Sequence, residues 1–234
     1  MTFKQFSECW DFDPYISCCR WNNLVYVRTL KNASEFFYRN LTQTAGWQPI
    51  DYNEIDWEQD HAFSYLREPV ERRLKGIAEY LVTHDGHTII DSPVAGKILG
   101  MIPFIDEHAS SLSLLYGNKL RMIDWIPLSD NHADAPTWTD CLLDHYSHPR
   151  INWNWEFEHT GDYNSYKKIF NKVKDYWEQG KDVRPAVLKM YLKLDLDFYQ
   201  EVIGKFQPNA TDWPTMSWMP KKVLKRLSKK ALIS

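Results

Sequence analysis

No stretch of these 234 residues approaches the run of about 18 consecutive apolar side chains that a membrane-spanning helix needs. The opening Met1-Thr2-Phe3-Lys4-Gln5 leads into no apolar signal-type region, so the chain reads as soluble and not secreted. Cysteine is scarce. The four present (Cys9, Cys18, Cys19 and Cys141) include an adjacent pair poorly placed for a mutual disulfide, and no C-x-x-C spacing suggests zinc. Neither sign of charge dominates: 28 Lys and Arg face 31 Asp and Glu, so bulk electrostatics predict neither nucleic-acid nor membrane binding. The G-x-x-x-x-G-K-[ST] loop and the G-x-G-x-x-G fingerprint are both missing, which argues against an ordinary nucleotide-dependent kinase or a dinucleotide fold. Internal repeats and low-complexity segments are absent as well.

Aromatic residues, by contrast, are plentiful. Eleven Trp, thirteen Tyr and eleven Phe suit a well-filled core, and equally a groove that stacks flat ligands or sugars. The length predicts one α/β domain. Three N-x-[ST] sequons begin at Asn32, Asn40 and Asn209. A glycan on Asn32 would fill the loop described next, so a functional loop implies a chain that avoids glycosylation, and reduced cytoplasm is the expected compartment.

That loop belongs to Leu24-Val25-Tyr26-Val27-Arg28-Thr29-Leu30-Lys31-Asn32-Ala33-Ser34-Glu35-Phe36-Phe37. An apolar β-type run turns through a short polar loop into a helix that buries Phe36, Phe37 and Leu41 and stops at Ala45-Gly46. Asn32 with Glu35 three residues on reads as a capping pair. Strand, tight loop and helix start together make an anion cradle, because the first N–H groups lack intrahelical partners. Lys31 adds a full charge at the same place. The stretch before it, residues 1–23, is aromatic and irregular (Trp10, Phe12, Tyr15, Trp21) and is expected to pack as an arm. After the helix, Trp47 to Trp57 reads as an extended segment rich in acids: Asp51, Glu54, Asp56 and Glu58.

A second unit follows. His61-Ala62-Phe63-Ser64-Tyr65-Leu66 reads as a strand, and Arg67-Glu68-Pro69-Val70-Glu71-Arg72 opens a helix to about Val82. Pro69 fits the first helical position, Glu68 and Glu71 suit its positive end, and Leu74, Ile77, Ala78 and Leu81 recur at helical spacing. Arg67 then lies where the strand ends, on the edge where open α/β sheets bind ligands. Further on, residues 164–179 read as a helix closed by Gly180. Arg184-Pro185 breaks before another helix to about Ile203, and a basic tail spans 208–234. Asn131 to Pro136 is a candidate acceptor-side loop.

These two units resemble the nucleotide-binding elements of sulfotransferases that use 3′-phosphoadenosine-5′-phosphosulfate (PAPS), the carbohydrate sulfotransferases above all. Arg28, Lys31, Ala33, Ser34 and Phe37 match a family loop similar to R-x-P-K-T-A-S-T-S-F, while Leu30 replaces its proline and Glu35 a hydroxyl residue. Phe63 to Arg72 is similar to F-x-F-V-R-D-P-x-E-R, and Lys75 stands for the serine that follows. Ile105-Asp106-Glu107-His108 with the strand to Leu128 looks like a D-x-H segment of the same family.

The resemblance implies a central parallel sheet flanked by helices, a three-layer fold related in layout to P-loop nucleotide-binding proteins. It also implies transfer of a sulfuryl group from PAPS to a hydroxyl acceptor, a carbohydrate in the nearest relatives, without a metal. Arg28, Leu30, Lys31, Asn32, Ala33, Ser34 and Glu35 would then line the phosphosulfate, with Lys31 facing the leaving phosphate. Arg67 and Lys75 would clamp the 3′-phosphate. The general base would come from between the motifs, Glu54 being the first choice and Asp51, Glu58, His61 and His108 the competitors. Lacking a membrane anchor, such a chain would look like a bacterial or phage-borne enzyme. The alternative is a relative that kept the fold and lost catalysis, acting as a binding, virion or assembly component; Glu35 and Lys75 favour it. His84/His87 and His145/His148 have i, i+3 spacing but no evident third metal ligand. Trp153 and Trp155 would share one face of a strand, as core or as a sugar platform.

Overall fold

Two short apolar runs separated by Asn22-Asn23 can only fold back on each other. Asn22 takes the left-handed conformation (φ 53°) that a two-residue hairpin turn requires, and it joins β1 (Ser17–Trp21) to β2 (Leu24–Val27) with Trp21 opposite Leu24. A computed structural model of the chain describes residues 16–84, 86–128, 135–157, 163–181 and 186–205. Within these, β1 and β2 join β3 (Gln48–Asp51), β4 (His61–Leu66) and β5 (Ile123–Pro127) in a five-stranded sheet ordered β3-β1-β2-β4-β5.

The fold is therefore α/β, but the sheet is mixed, which corrects the expectation of a parallel one. β2, β4 and β5 run parallel, whereas β1 pairs antiparallel with both β2 and β3. The hairpin is the reason: a two-residue link allows no crossover, while the long excursions before β4 and β5 do. The expected N-terminal arm is likewise corrected over Ser17–Trp21, which forms a strand inside the sheet. Trp10, Phe12 and Tyr15 lie outside the described residues, as do residues 131–134 of the candidate acceptor loop and the tail 208–234. Pro49 is tolerated because β3 is an edge strand.

Helices cover both faces. Leu24, Tyr26, Phe63, Tyr65 and Ile126 face one cluster with α1 (Ser34–Arg39) and α6 (Ala135–His145). The alternate residues Val25, Val27, Ala62, Leu66, Ile123 and Trp125 face a second, with α5 (Leu112–Tyr116) and α8 (Ala186–Lys205). Strand residues buried on both sides are the signature of a sheet sandwiched between helices. The long α2 (Pro69–Thr83) builds a third cluster with α3 (Gly86–Ile90), α4 (Ala95–Met101) and α7 (Tyr163–Glu178). None of the described helices is long and apolar enough to cross a membrane.

A carboxylate sits among these core positions. Asp124 on β5, opposite Phe63, is 5% exposed, and burial pushes its carboxyl up to about 8. The folded state thus holds this proton more tightly than the unfolded chain, whose carboxyl has the ordinary value of 3.8. The corresponding stability is complete below that ordinary value and is lost as pH rises through about 8. Asp124→Asn, neutral at every pH, is expected to raise the melting temperature at pH 9 and to change it little only below the ordinary carboxylate value of 3.8. Melting curves of both proteins across that range provide the check, and parallel curves would contradict it.

Candidate functional site

The β2–α1 connection holds two non-glycine residues in the left-handed region, Lys31 (φ 63°) and Ala33 (φ 53°). Such positions cost on the order of 1–3 kcal/mol each and persist where surrounding contacts over-determine them. Three contacts do so. The buried Asn32 amide donates to the carbonyl of Tyr65 on β4. Arg72, buried on α2, donates from Nε to the Leu30 carbonyl at 3.1 Å, while its two Nη atoms reach the carbonyls of Ser110 and, at 3.3 Å, Glu107. Thr29 bonds Ser64 and Tyr116, each at 2.7 Å.

The expected cap does not form. Ala33 precedes the first helical residue and no side chain caps it, because Asn32 is committed to β4 and its own carbonyl oxygen has no partner. Glu35 turns back instead to Arg28 and Arg39. The Arg28 guanidinium also lies 5.2 Å over the Tyr38 ring. α1 is six residues long and continues as a π-helical turn, Asn40–Thr44.

The second unit forms as its sequence predicts. Pro69 occupies the first turn of α2, and Glu68 caps it by accepting from the Glu71 N–H at 2.6 Å. Because β2 and β4 are adjacent and parallel, the cations that follow them converge on one stripe of α2. Arg67 and Lys75 share the Glu71 carboxylate at 2.8 and 2.6 Å, and Lys31 reaches Glu79 at 2.9 Å. Burial alone would raise Glu71; the Lys75 hydrogen bond and the Arg67 and Lys75 charges outweigh it and hold the carboxyl below its usual value. Residues 71, 75 and 79 are successive i, i+4 positions, so the ladder runs over about 12 Å of helix. Glu71 as a partner of Arg67 is readable from the i, i+4 spacing, whereas Glu79 as the partner of Lys31 was missed, since the two lie on different elements.

The candidate bases scatter. Glu54 accepts from the Asp51 N–H at 2.7 Å in a reciprocal cap, and its carbonyl accepts from Arg20 at 2.8 Å. Asp51 is the other half of that cap, and exposed Glu58 donates its N–H to Asp56. His61 faces Tyr146, 5.1 Å between rings. His108 turns onto Asp106, whose carboxylate accepts from its backbone N–H at 2.9 Å. Glu107, between them in sequence, instead lines a cleft with Ile16, Arg28, Leu30, Leu115 and Tyr116. No group of three His, Cys, Asp or Glu among the described residues could hold a metal ion. His148 accepts from Trp47 Nε1 at 2.9 Å through Nε2, so its Nδ1 carries the proton toward the Pro149 carbonyl.

Trp153 and Trp155 are not on a strand. They belong to a loop and a 3₁₀ turn (Trp155–Phe157), and both rings pack on Phe36 of α1, at 5.8 and 4.9 Å. Mutual Asn40–Asn154 hydrogen bonds fasten the loop there, and Trp155 remains 48% exposed. Comparison with protein-family models, curated proteins and solved structures yields no match to this chain.

Proposed function

We propose that the protein is a PAPS-dependent sulfotransferase acting on a hydroxyl group, with a carbohydrate as the acceptor class. The supporting observation is the ladder on α2. Cations from two parallel βα units, Lys31 from one and Arg67 with Lys75 from the other, meet along about 12 Å of one helix stripe. That spread suits a ligand with two separated anionic groups better than a single phosphate. Lys31 and loop N–H groups would hold the 5′-phosphosulfate, and Arg67 and Lys75 the 3′-phosphate. The Lys75–Glu71 pair is partly exposed, and an ion pair of that kind is worth only about 0–1 kcal/mol, so a bisphosphate can compete for Lys75. Exposed Trp155 beside α1 offers the flat apolar surface on which sugar rings stack. Catalysis would come chiefly from positioning and charge stabilisation of an in-line displacement, as in phosphoryl transfer.

A second reading, a catalytically inactive sulfotransferase-fold protein serving as a binding or assembly component, is favoured by Glu35. Its carboxylate sits on Arg28 and Arg39 within the loop that would face the phosphosulfate. That protein would still bind the bisphosphate without transferring sulfate.

Thermal shift with 3′,5′-ADP, ATP and AMP tests the proposal. At about a hundredfold excess over Kd, a ligand of the folded state adds about 2.7 kcal/mol, or about 5–10 °C in Tm. The expected result is that shift with 3′,5′-ADP alone, lost in Lys31→Ala and in Arg67→Ala. No response to any nucleotide sinks the sulfotransferase reading.

A further inference from the structure

The loop over residues 147–157 is fastened to the α1 segment at both ends. At the far end the Asn40 side chain bonds the Asn154 backbone in both directions, and the Trp153 and Trp155 rings rest on Phe36. At the near end the fastening is His148. Ser147 takes the left-handed conformation (φ 57°), the His148 N–H closes on the Leu143 carbonyl at 2.8 Å, and the imidazole is buried. Both ring nitrogens are engaged. An indole N–H can only donate, so Nε2 accepts from Trp47 at 2.9 Å and the ring's single proton is on Nδ1, facing the Pro149 carbonyl. An imidazolium carries N–H groups on both nitrogens, and the second would meet the Trp47 N–H head on. Two donors cannot share one hydrogen bond.

We propose that the Trp47–His148 hydrogen bond is an acid-sensitive latch: a neutral imidazole holds the near end of the loop, and a proton on Nε2 releases it. Trp47 is a firm counterpart. Its side chain is buried, and its backbone N–H donates to the Leu41 carbonyl at 3.0 Å just after Gly46 (φ 72°), which ends the π-helical turn that follows α1. The latch therefore joins the end of the α1 segment to the start of the loop that returns over it. The rings packed on the imidazole are Trp21 of β1, edge-on at 4.3 Å, and Trp47 itself, at 5.4 Å, and neither carries a charge. The other titratable groups nearby are committed elsewhere. Asp144 and Arg150, the nearest charges in sequence, pair with each other at 3.0 Å, and Asp140 accepts from Trp153 Nε1 at 3.2 Å. His61 and His145 pack on Tyr146, where Asp124 also acts, and burial holds that phenol neutral. Burial likewise pushes His148 below its ordinary value of 6.5, against the opposing pull of the Pro149 carbonyl. The folded value thus lies under the unfolded one, so the latch's stability is complete above 6.5 and is lost as pH falls through the folded value. The latch does not depend on the sulfotransferase reading.

The test is an NMR titration of the full ¹⁵N-labelled chain from pH 8 downward. At pH 8, His148 should show a protonated Nδ1 and a bare Nε2, and the Trp47 indole N–H should be protected from exchange. Below 6.5 the indole signal should move with the same midpoint as His148. Protection factors of the Trp47 indole and His148 backbone N–H should fall about tenfold, as for the loss of one buried hydrogen bond, with less change at Asn154. His148→Gln offers the indole an acceptor that does not titrate, so the step should vanish. In Trp47→Phe, nothing opposes the second proton, so His148 should titrate at a higher pH than in the wild type. The wild-type titration decides the matter even if either variant fails to fold. A protonated Nε2 at pH 8 overturns the latch, as does an indole signal that keeps its position down to the pH at which the chain unfolds. A step that persists in His148→Gln, or an unchanged His148 midpoint in Trp47→Phe, overturns it as well.

Discussion

Gly76→Ala is expected to destabilise the protein by about 3 kcal/mol, against the usual preference for alanine inside a helix, which is worth about 1 kcal/mol. Gly76 lies in the middle of α2, where the segment carrying His108 crosses it. A Cβ there would lie 2.1 Å from the His108 carbonyl oxygen and 2.5 Å from the Ala109 nitrogen. Both are backbone atoms, so no side chain can rotate to relieve the overlap, and either α2 or the 106–110 segment must move. At about 2–4 °C per kcal/mol for a chain of this size, the expected drop in Tm is about 6–12 °C. A variant as stable as the wild type would show that the crossing segment is free to shift.

Where the sequence was legible, local chemistry and tertiary structure agreed. In α2, Pro69 and Glu68 specify the first turn and the apolar positions from Leu74 to Leu81 specify the buried face, so tertiary packing had only to accept what the chain already preferred. The same holds for β2, whose continuous apolar run marks a strand covered on both sides, and for the largely apolar β4. The misreadings share a different cause. Asn32 and Glu35 have the spacing of a cap, but the Tyr65 carbonyl of the neighbouring strand and the two arginines compete for them, and none of those is visible from four residues of sequence. Ser17–Trp21 was hidden because its pairing needs the Asn22-Asn23 turn to be recognised as a hairpin signal. Trp153 and Trp155 alternate like strand residues, yet Asn154 between them satisfies its backbone on the Asn40 side chain instead of a ladder. In the candidate site, the cations were readable from their motif. Glu71 lies at i, i+4 from Arg67 and from Lys75, but the meeting of Lys31 with Glu79, and the cleft beside them, depend on which elements the sheet order brings together.

Arg72→Met is expected to have the widest effect of any single substitution near the site. The guanidinium is 2% exposed and donates to the carbonyls of Leu30, Ser110 and Glu107, so one side chain ties the cradle loop to the segment that walls the cleft. Methionine fills most of the same volume, which isolates the loss of the donors. Leaving a buried acceptor unsatisfied costs about 1–3 kcal/mol, and three are at stake. Against this stands relief from burying a charge, which pushes the arginine pKa down. The acceptors outnumber the single charge, so a net loss of about 3 kcal/mol is expected, read as a lower denaturant midpoint at unchanged slope. Arg72→Lys keeps the charge but offers a compact ammonium in place of a planar fork, and cannot span three carbonyls that lie on two segments. It should therefore lose nearly as much stability as Arg72→Met. Both variants should also weaken 3′,5′-ADP below their melting points, because the loop bearing Lys31 loses its anchor on α2. Unchanged 3′,5′-ADP affinity in both variants would mean that Arg72 does not position the loop.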